Sequence, residues 1–537
     1  MSRRPFAVVA LLAAALAATA APAQAAPPTG TAADGPGDVS HFDLARKDCV
    51  GTARNRRSKV WYTIADGVLS DVYFPTNDNT NVETLQYVVT DGKTTDLQTR
   101  DMTYTVKPLD DRALGCRVTA TAKSGRYRIT TDYVTDPDRA TIAMDSSFKA
   151  LKGKASDYKL FVRFDPTLNC NGGGQGGKTT PGEEGDNAGA DSGSVAADHG
   201  HTVLVGSDPV TATIAANRDY AIPVHSALDA DRGFRAVSNG FAGKASDGLT
   251  QLDASHSGLT STFANATGGN LVQTAQVDLG HGGDFTLALG FGDSQAKAVG
   301  AAHKTLGERF GGLEREYVKG WQRYARKLVS PRRPHGVSRS RWSSLLDEYY
   351  LSAFYVKAAE DKTFRGAVAA ALASPWGQSL SAGSKFRDYF GSYREIFGRD
   401  LYEAWTSLYL AGDRRTARAM TRFMFERQQL PDGSMPRNSL ANGKPAPDSF
   451  NTQLDECAYP LVMALAVGLT GPSYYENHIK PAANFVASHG PSFGPERWEE
   501  QSGFSPSTIS AEIACPHGDA QAAAVAPGKV LSSAPLT

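Results

Sequence analysis

The spacing of the apolar residues in this 537-residue chain changes near Ala296. Before that point apolar and polar side chains alternate, whereas beyond it the apolar side chains recur every three or four positions. Alternation places side chains on the two faces of a strand, and the longer spacing places them on one face of a helix. The sequence therefore predicts a β-rich part followed by an α-helical part, in line with the two or three domains expected for this length.

Short strands separated by turn residues define the first part. Asp66-Gly67 and Ser124-Gly125 each separate two alternating segments, and such dipeptides are typical of tight hairpin turns. We expect strands at residues 60–64, 68–73, 117–121, 127–133, 160–164, 203–205 and 285–289. Many short strands with regular turns predict an antiparallel β-sandwich, which we assign to residues 48–295.

Helices and long polar loops define the second part. One helical face carries the apolar residues Leu313, Tyr317, Trp321, Tyr324 and Leu328. This face predicts a linker helix within residues 296–335. Further helices are expected at residues 342–359, 399–411, 414–429, 454–469 and 475–488. Because long loops separate these helices in pairs, residues 336–514 are expected to form an α/α toroid, whose site is built from loops at one end.

The N-terminus has the pattern of a secretory signal peptide. Arg3 and Arg4 precede an apolar run and the small residues Ala23-Gln24-Ala25, which predicts a signal peptide at residues 1–25, with a retained anchor as the alternative. Residues 26–47 are rich in Ala, Pro and Gly and are expected to be a disordered spacer. The protein is therefore expected to be secreted.

The C-terminal residues change composition inside a predicted helix. Ser505 can cap this helix and Pro506 suits its first position, but Pro516 would break it after about two turns. We expect residues 515–537 to be an aberrant tail that arises from a frameshift or a premature stop. A natural disordered tail is the alternative.

Composition excludes two classes of partner. Acidic and basic residues balance at 56 each, so no net charge attracts nucleic acid or an acidic membrane. Beyond the signal peptide no apolar stretch reaches a membrane-spanning length, and the mature protein is expected to have no membrane span.

The cysteines and the acidic loops do not predict a cofactor. An odd number of five cysteines cannot pair fully within one chain, and at most one bridge is expected among Cys49, Cys116 and Cys170. No cluster of cysteine and histidine predicts zinc. The loop at residues 170–194 could hold structural calcium, but its acidic residues lack a regular ligand spacing, which favours a flexible surface loop.

Residues 496–504 crowd three carboxylates around Trp498, just before a predicted helix. A general acid must be protonated at its working pH, so its pKa must be raised. A neighbouring carboxylate and packing against an indole both raise a carboxyl pKa. Glu499 directly follows Trp498 and is the candidate general acid, the alternative being an ordinary charged loop.

Three other polar or aromatic groups lie in loops or at helix starts. Arg399 and Asp400 can hydrogen-bond adjacent sugar hydroxyls, although alone they would be interpreted as a surface Arg and a capping acid. Trp376 lies in a Pro/Gly loop, where it can stack on a sugar or fill the core. Asp455 and Glu456 are, without context, a capping pair at a helix start.

Together these residues resemble the bacterial branch of the glucoamylase family, glycoside hydrolase family 15, which also contains glucodextranases and some trehalases. Residues 58–75, 393–400 and 498–500 carry the resemblance, which extends to about Ala514. The short motifs are weak singly, and their order and spacing beside the β-domain make the set specific. The resemblance implies a super-β-sandwich followed by an (α/α)6 toroid.

The resemblance also implies a role for each candidate residue. Glu499 is the implied general acid. The residues implied to hold the terminal glucose are Tyr393, Arg399 and Asp400, those lining the pocket are Trp376 and Trp498, and those in support are Asp455 and Glu500. Phe397 stands where the family usually has Trp.

The implied activity is that of an exo-acting, inverting α-glucan hydrolase that releases β-glucose from non-reducing ends. In this family the catalytic base is a second Glu far downstream. The chain ends before any matching segment, so we expect a truncated polypeptide with an incomplete toroid and without its base. The alternatives are a non-catalytic glucan-binding protein and a trehalase of the same family, and the choice among α-1,4, α-1,6 and α,α-1,1 linkages stays open.

Overall fold

A computed structural model describes residues 27–38, 40, 42, 44–170, 191–210, 215, 218–374, 393–446, 449, 452–496 and 502–514. Within these residues an antiparallel β-sandwich comes first and α-helices follow. The predicted fold class, a β-sandwich followed by part of a helical toroid, is confirmed.

Two antiparallel sheets form the sandwich. Their strands are β1 Cys49–Gly51, β2 Trp61–Ala65, β3 Val68–Tyr73, β4 Val82–Thr90, β5 Thr95–Leu97, β6 Met102–Pro108, β7 Cys116–Ala122, β8 Tyr127–Thr135, β9 Thr141–Ala150, β10 Lys159–Pro166, β11 Ser192–Asp198, β12 His201–Asp208, β13 Val224–Ala230, β14 Phe234–Phe241, β15 Ala266–Thr267, β16 Leu271–Val277 and β17 Asp284–Gly292. One sheet has the order β1-β2-β3-β4-β10-β16-β14, with β5 added to β4, and the other has the order β15-β11-β12-β13-β17-β9-β8-β7-β6. The hairpin predicted at Asp66-Gly67 is confirmed, and both residues have positive φ (48° and 74°), as a two-residue hairpin turn requires.

The core of the sandwich lies between the two sheets. Buried and less buried positions alternate along β7 and β8, so that side chains such as Val118 and Ile129 face the core, together with Leu85 of the other sheet. A disulfide joins Cys49 of β1 to Cys116 of β7 and thereby links the two sheets. It is a bridge of the kind predicted among the first three cysteines.

Most of the longer helices follow the sandwich. The helices are α1 Gln98–Asp101, α2 Gly248–Ser255, α3 Gln295–Leu306, α4 Phe310–Ala325, α5 Arg339–Ala358, α6 Gly398–Leu410, α7 Arg414–Phe423, α8 Leu454–Ala466, α9 Pro472–Tyr474 and α10 Lys480–His489, and residues 506–514 are also helical. The π-helical turns Met424–Gln428 and Tyr475–Ile479 extend α7 and precede α10. Within the described part of the chain, no helix combines the length and the apolar character needed to cross a membrane.

The linker between the two parts is two helices rather than the single helix predicted in residues 296–335. Helix α3 ends at Leu306 with Gly307 as its C-cap, and α4 begins at Phe310. Glycine is a poor helix former, which favours this break. The predicted apolar face of α4 is buried against the sandwich, where Trp321 Nε1 donates to Thr52 O at 2.9 Å and Trp61 Nε1 donates to Ala358 O of α5 at 2.8 Å.

Part of the predicted spacer packs against the sandwich. The Ala32 N–H donates to Asn265 O at 2.9 Å, and the side chains of Ala32 and Phe42 are buried. The expectation of disorder for residues 26–47 therefore does not hold for the described ones. Burial of the Ala32 and Phe42 side chains, together with backbone pairing, stabilises this segment despite its Ala/Pro/Gly-rich composition.

Helices α6, α7 and α8 share one apolar core. Leu401 and Trp405 of α6 pack with Met420 of α7 and Met463 of α8. A second core joins α8 to α10. This packing brings the N-terminal ends of α6 and α8 together, and the candidate site lies there.

Candidate active site

The start of α6 lies directly on the start of α8. Gly398 is the first residue of α6, and a Cβ at this position would lie 3.0 Å from the Cβ of Glu456 in α8. Only glycine therefore lets the two helices approach this closely without displacement. Just before α6, strand β18 Ile396–Phe397 pairs with β19 Asn438–Ser439, so the loop that follows α7 is held beside the same helix start.

Arg399 is clamped onto a buried carboxylate. Its Nε donates to Asp455 Oδ2 at 2.9 Å, and its Nη2 donates to Asp455 Oδ1 at 3.2 Å and to Gln453 Oε1 at 2.5 Å. Asp455 is fully buried, while the Arg399 side chain is 18% exposed. The clamp fixes the guanidinium plane and leaves the two N–H groups of Nη1 without a hydrogen bond among the described residues.

Three carboxyl groups beside this clamp have raised pKa values. Burial raises the pKa of Asp400, with Glu403 adding to the shift and Arg399 opposing it. Burial raises the pKa of Glu456 well above its usual value, and the neighbouring Asp455 adds to this effect. Burial also raises the pKa of Glu496, although its carboxylate accepts a hydrogen bond from the Phe493 N–H at 2.9 Å. The site is therefore weakly solvated, and neighbouring carboxylates add to the raised pKa values of its carboxyl groups.

Aromatic and basic side chains form one wall of the site. Tyr393 is 37% exposed, and its ring centroid lies 5.8 Å from that of Phe397. The Arg437 guanidinium carbon lies 5.8 Å from the Phe397 ring centroid. A half-exposed aromatic beside a buried polar network suits the stacking of a sugar ring.

The sandwich supports this wall. Arg394 Nη1 donates to Thr80 Oγ1 at 2.8 Å, and the Ala441 N–H donates to Asp78 Oδ2 at 3.2 Å. Residues 76–81 are buried and polar throughout. The loop after β3 therefore holds two other loops in place. One of them precedes α6, and the other follows α7.

The candidate general acid lies outside the described residues, as do Trp376, Trp498 and Glu500. The two ends of the segment 497–501 are nevertheless placed. Pro495 and Ser502 form a β-bridge, and Gln453 Nε2 donates to the Glu496 backbone O at 3.2 Å. Because Gln453 also binds Arg399, the chain enters and leaves this segment beside the Arg399 clamp.

The structure places Arg399, Asp400 and Asp455 at the shared start of α6 and α8, and Tyr393 beside Phe397 just before α6. The binding roles expected for these residues remain predictions. The structure also adds buried residues to which the sequence-based prediction gave no role in the site. These are above all Glu456 and Glu496, with the supporting Arg394, Glu395 and Asn438. One signal for the supporting loop is visible in the sequence, since the polar run 76–81 begins two residues after a predicted strand. The pairing of Arg394 with this loop depends on tertiary structure and has no local signal.

A cavity of about 880 Å³ lies elsewhere, between the sandwich and the helices. Its lining includes Arg54, Arg323, Lys357, Asp413 and Arg414, and none of the predicted site residues. The candidate site therefore does not coincide with this cavity.

Comparisons with known proteins agree with this architecture. Residues 32–326 match the family model of glucodextranase, domain N. The chain is 33% identical over 485 residues to a glucoamylase of Clostridium sp. (strain G0005), an alignment that covers 90% of this chain and 62% of that protein. The chain thus spans less than two thirds of the length of this curated relative. The crystal structure of a bacterial glucoamylase complexed with acarbose superposes with a TM-score of 0.79 at 31% identity, covering 93% of this chain and 67% of that one.

Proposed function

Since the chain belongs to the family of the bacterial glucoamylases, we propose that it forms the sugar-binding and proton-donating part of an exo-acting α-glucan hydrolase. The observation that carries this proposal is the clamp of Arg399 on buried Asp455, next to Asp400 at the shared start of α6 and α8. Such a rigid pair of donor and acceptor can bind the terminal sugar of a glucan chain.

The sugar would be held by groups that are already oriented. The Nη1 group of Arg399 can donate to one hydroxyl, and the carboxyl group of Asp400 can accept from its neighbour. Tyr393 can cover the apolar face of the same ring, since it is 37% exposed beside Phe397. A pocket that binds a terminal unit in this way favours cleavage from chain ends.

Glu499 is the proposed general acid. It would donate its proton to the glycosidic oxygen as the bond from that oxygen to the anomeric carbon breaks, and water would attack the same carbon from the opposite face. The product of this inversion is β-glucose. The raised pKa of Glu496, three positions earlier, supports a weakly solvated surrounding in which an acid stays protonated.

We propose no described residue as the base of the inverting reaction, which must accept a proton from the attacking water. An inverting pair is separated by about 6.5–9.5 Å to admit the attacking water.

Secretion is also proposed. The signal-peptide pattern at residues 1–25 lies outside the described residues, and the disulfide Cys49–Cys116 is independent support. Disulfides persist in oxidising compartments and are rare in the cytosol.

The test uses α-glucosyl fluoride, because fluoride leaves without a proton donor. The 537-residue chain would be incubated with this substrate with and without azide, and the products identified by NMR. Azide displaces fluoride at the anomeric carbon from the opposite face, so a pocket that lacks a base should form β-glucosyl azide. β-Glucose formed in water alone would indicate that a base is present.

The other outcomes separate the alternatives. Binding of acarbose without either product would favour a non-catalytic glucan-binding protein. Cleavage of trehalose, but not of malto- or isomaltooligosaccharides, would favour a trehalase. A chain that neither binds acarbose nor turns over any of these substrates would contradict the proposal.

A further inference from the structure

The cavity of about 880 Å³ between the sandwich and the helices contains none of the predicted site residues, and its lining has more basic than acidic side chains. We propose that this cavity binds a small organic ligand that carries two or more phosphate groups. Pockets that hold small organic ligands have volumes of about 300–1,000 Å³, so the space is sufficient for such a molecule.

The acidic side chains of the lining already have cationic partners. The ion pairs are Asp136 and Glu308 with Arg139, Asp138 with Arg57, Glu316 with Lys319, and Glu360 and Asp413 with Lys357. Arg139 and Lys319 are not part of the lining, so they neutralise acidic groups without using its own cations. The carboxylates of the cavity are therefore occupied before its remaining basic side chains are considered.

Most basic side chains of the lining have no carboxylate partner among the described residues. Arg56 donates to the backbone oxygens of Lys362 and Thr363. The others that lack a carboxylate partner in this part of the chain are Arg54, Arg323, Arg326, Lys327, Arg365, Arg414 and Arg415. Like charges that converge on one cavity repel each other, and a bound anion would relieve this repulsion.

Arg54 is held beside the cavity without a hydrogen bond to its side chain from any described residue. Its guanidinium carbon lies 4.3 Å from the ring centroid of Tyr324, whose hydroxyl donates to Asp413 Oδ2 at 2.8 Å. The Nε of Arg54 is buried and is one of the donors without an acceptor. Donors without acceptors are unfavourable away from bulk water, and the oxygens of a phosphate group would accept from this guanidinium in pairs.

The guanidinium groups select the class of anion. Each presents paired N–H donors that match the oxygens of a phosphate or a carboxylate. A phosphate group carries up to two negative charges and three acceptor oxygens, whereas a carboxylate carries one charge. Because the cations without a carboxylate partner come from both the sandwich and the helical part, a ligand with several phosphate groups matches them better than one phosphate ion. Such a ligand would stabilise the junction of the two parts.

The experiment is a calorimetric titration of the 537-residue chain with pyrophosphate in a buffer without divalent cations, with citrate and inorganic phosphate for comparison. One pyrophosphate should bind per chain, more tightly than either of the other anions, and added NaCl should weaken its binding. Arg54→Gln should weaken binding at least about tenfold, because the amide cannot donate the charge-assisted hydrogen bonds of a guanidinium. Pyrophosphate should raise the Tm of the unmodified chain, and the same concentration should raise that of Arg54→Gln less.

Arg128→Gln is the matched control, because Arg128 is an exposed arginine near the start of β8 and does not line the cavity. Arg323→Gln changes an exposed side chain of the lining and should also weaken binding. If circular dichroism shows that Arg54→Gln does not fold, the result for Arg323→Gln decides.

Four results would overturn the proposal. They are no binding of pyrophosphate, an unchanged affinity in the deciding variant, an equal loss in Arg128→Gln, and binding of citrate or inorganic phosphate as tight as that of pyrophosphate. The last result would indicate a general attraction of anions to the basic lining.

Discussion

Replacing Asp455 with alanine should destabilise the helical part by about 3–5 kcal/mol, because it leaves the Arg399 guanidinium without its buried counter-charge. The pair shares two hydrogen bonds, of 2.9 and 3.2 Å, and the Asp455 side chain is fully buried. Two hydrogen bonds to charged groups, at about 1.5–3 kcal/mol each, give about 3–6 kcal/mol, which overlaps this range. Since Arg399 keeps 18% of its side-chain exposure, water should replace part of the lost interaction. The lower end, about 3 kcal/mol, is therefore expected.

Asp455→Asn is the matched variant. Its amide oxygen can accept one of the two hydrogen bonds without the negative charge, so about half of the loss is expected. Arg399→Met, made in the unmodified chain and in Asp455→Ala, completes a double-mutant cycle. The coupling free energy between the two side chains should reach about 2 kcal/mol.

Urea unfolding, followed by circular dichroism, measures these free energies. Calorimetric titration with acarbose measures the site itself, and Asp455→Asn should weaken binding at least about tenfold, because an unclamped guanidinium must be ordered on binding. A change below about 1 kcal/mol for Asp455→Ala, or additive effects in the cycle, would refute the view that this carboxylate holds Arg399 in place.

Three further predictions concern stability. Removing the disulfide with Cys49→Ala and Cys116→Ala should lower the free energy of unfolding by about 4 kcal/mol, because the bridge closes a loop across a sequence separation of 67; urea unfolding checks this. Gly398→Ala should cost about 1–3 kcal/mol by overpacking the start of α6, whereas the control Gly320→Ala in α4, with its nearest neighbour 3.5 Å from the new Cβ, should stabilise by up to about 1 kcal/mol. Burial raises the pKa of Asp361 from 3.8 to about 6, so the folded chain binds a proton that the unfolded chain releases. Stability should fall by up to about 3 kcal/mol as pH rises from about 4 to about 6, and Asp361→Asn should reduce that fall.

The sequence predicts the fold where the hydrophobic period is regular. The alternation in β7 and β8 and the apolar face of α4 each follow from burial on one side of an element, and the structure places both as expected. The break at Gly307 and the docking of Ala32 were not predicted. The first depends on a single weak helix former, and the second depends on contacts with a distant strand.

The candidate site was predictable only in part, because its contacts also join segments that are distant along the chain. Arg399 and Asp400 stand out because they follow an aromatic at a helix start, but the partner of Arg399 lies 56 positions away and is fixed by the packing of α6 on α8. Glu456 carries no local sign that it becomes fully buried. Periodicity reports which face of an element is buried, and it does not report which two elements meet.

The role of Glu499 as proton donor is tested most directly by comparing Glu499→Gln with the unmodified chain. Both proteins are assayed on maltotetraose and on α-glucosyl fluoride, with azide as the nucleophile. Loss of a general acid should slow cleavage of the oligosaccharide by about 100- to 10,000-fold. Turnover of the fluoride should change far less, because its leaving group needs no proton. Equal rates of oligosaccharide cleavage by the two proteins would contradict the assignment of Glu499.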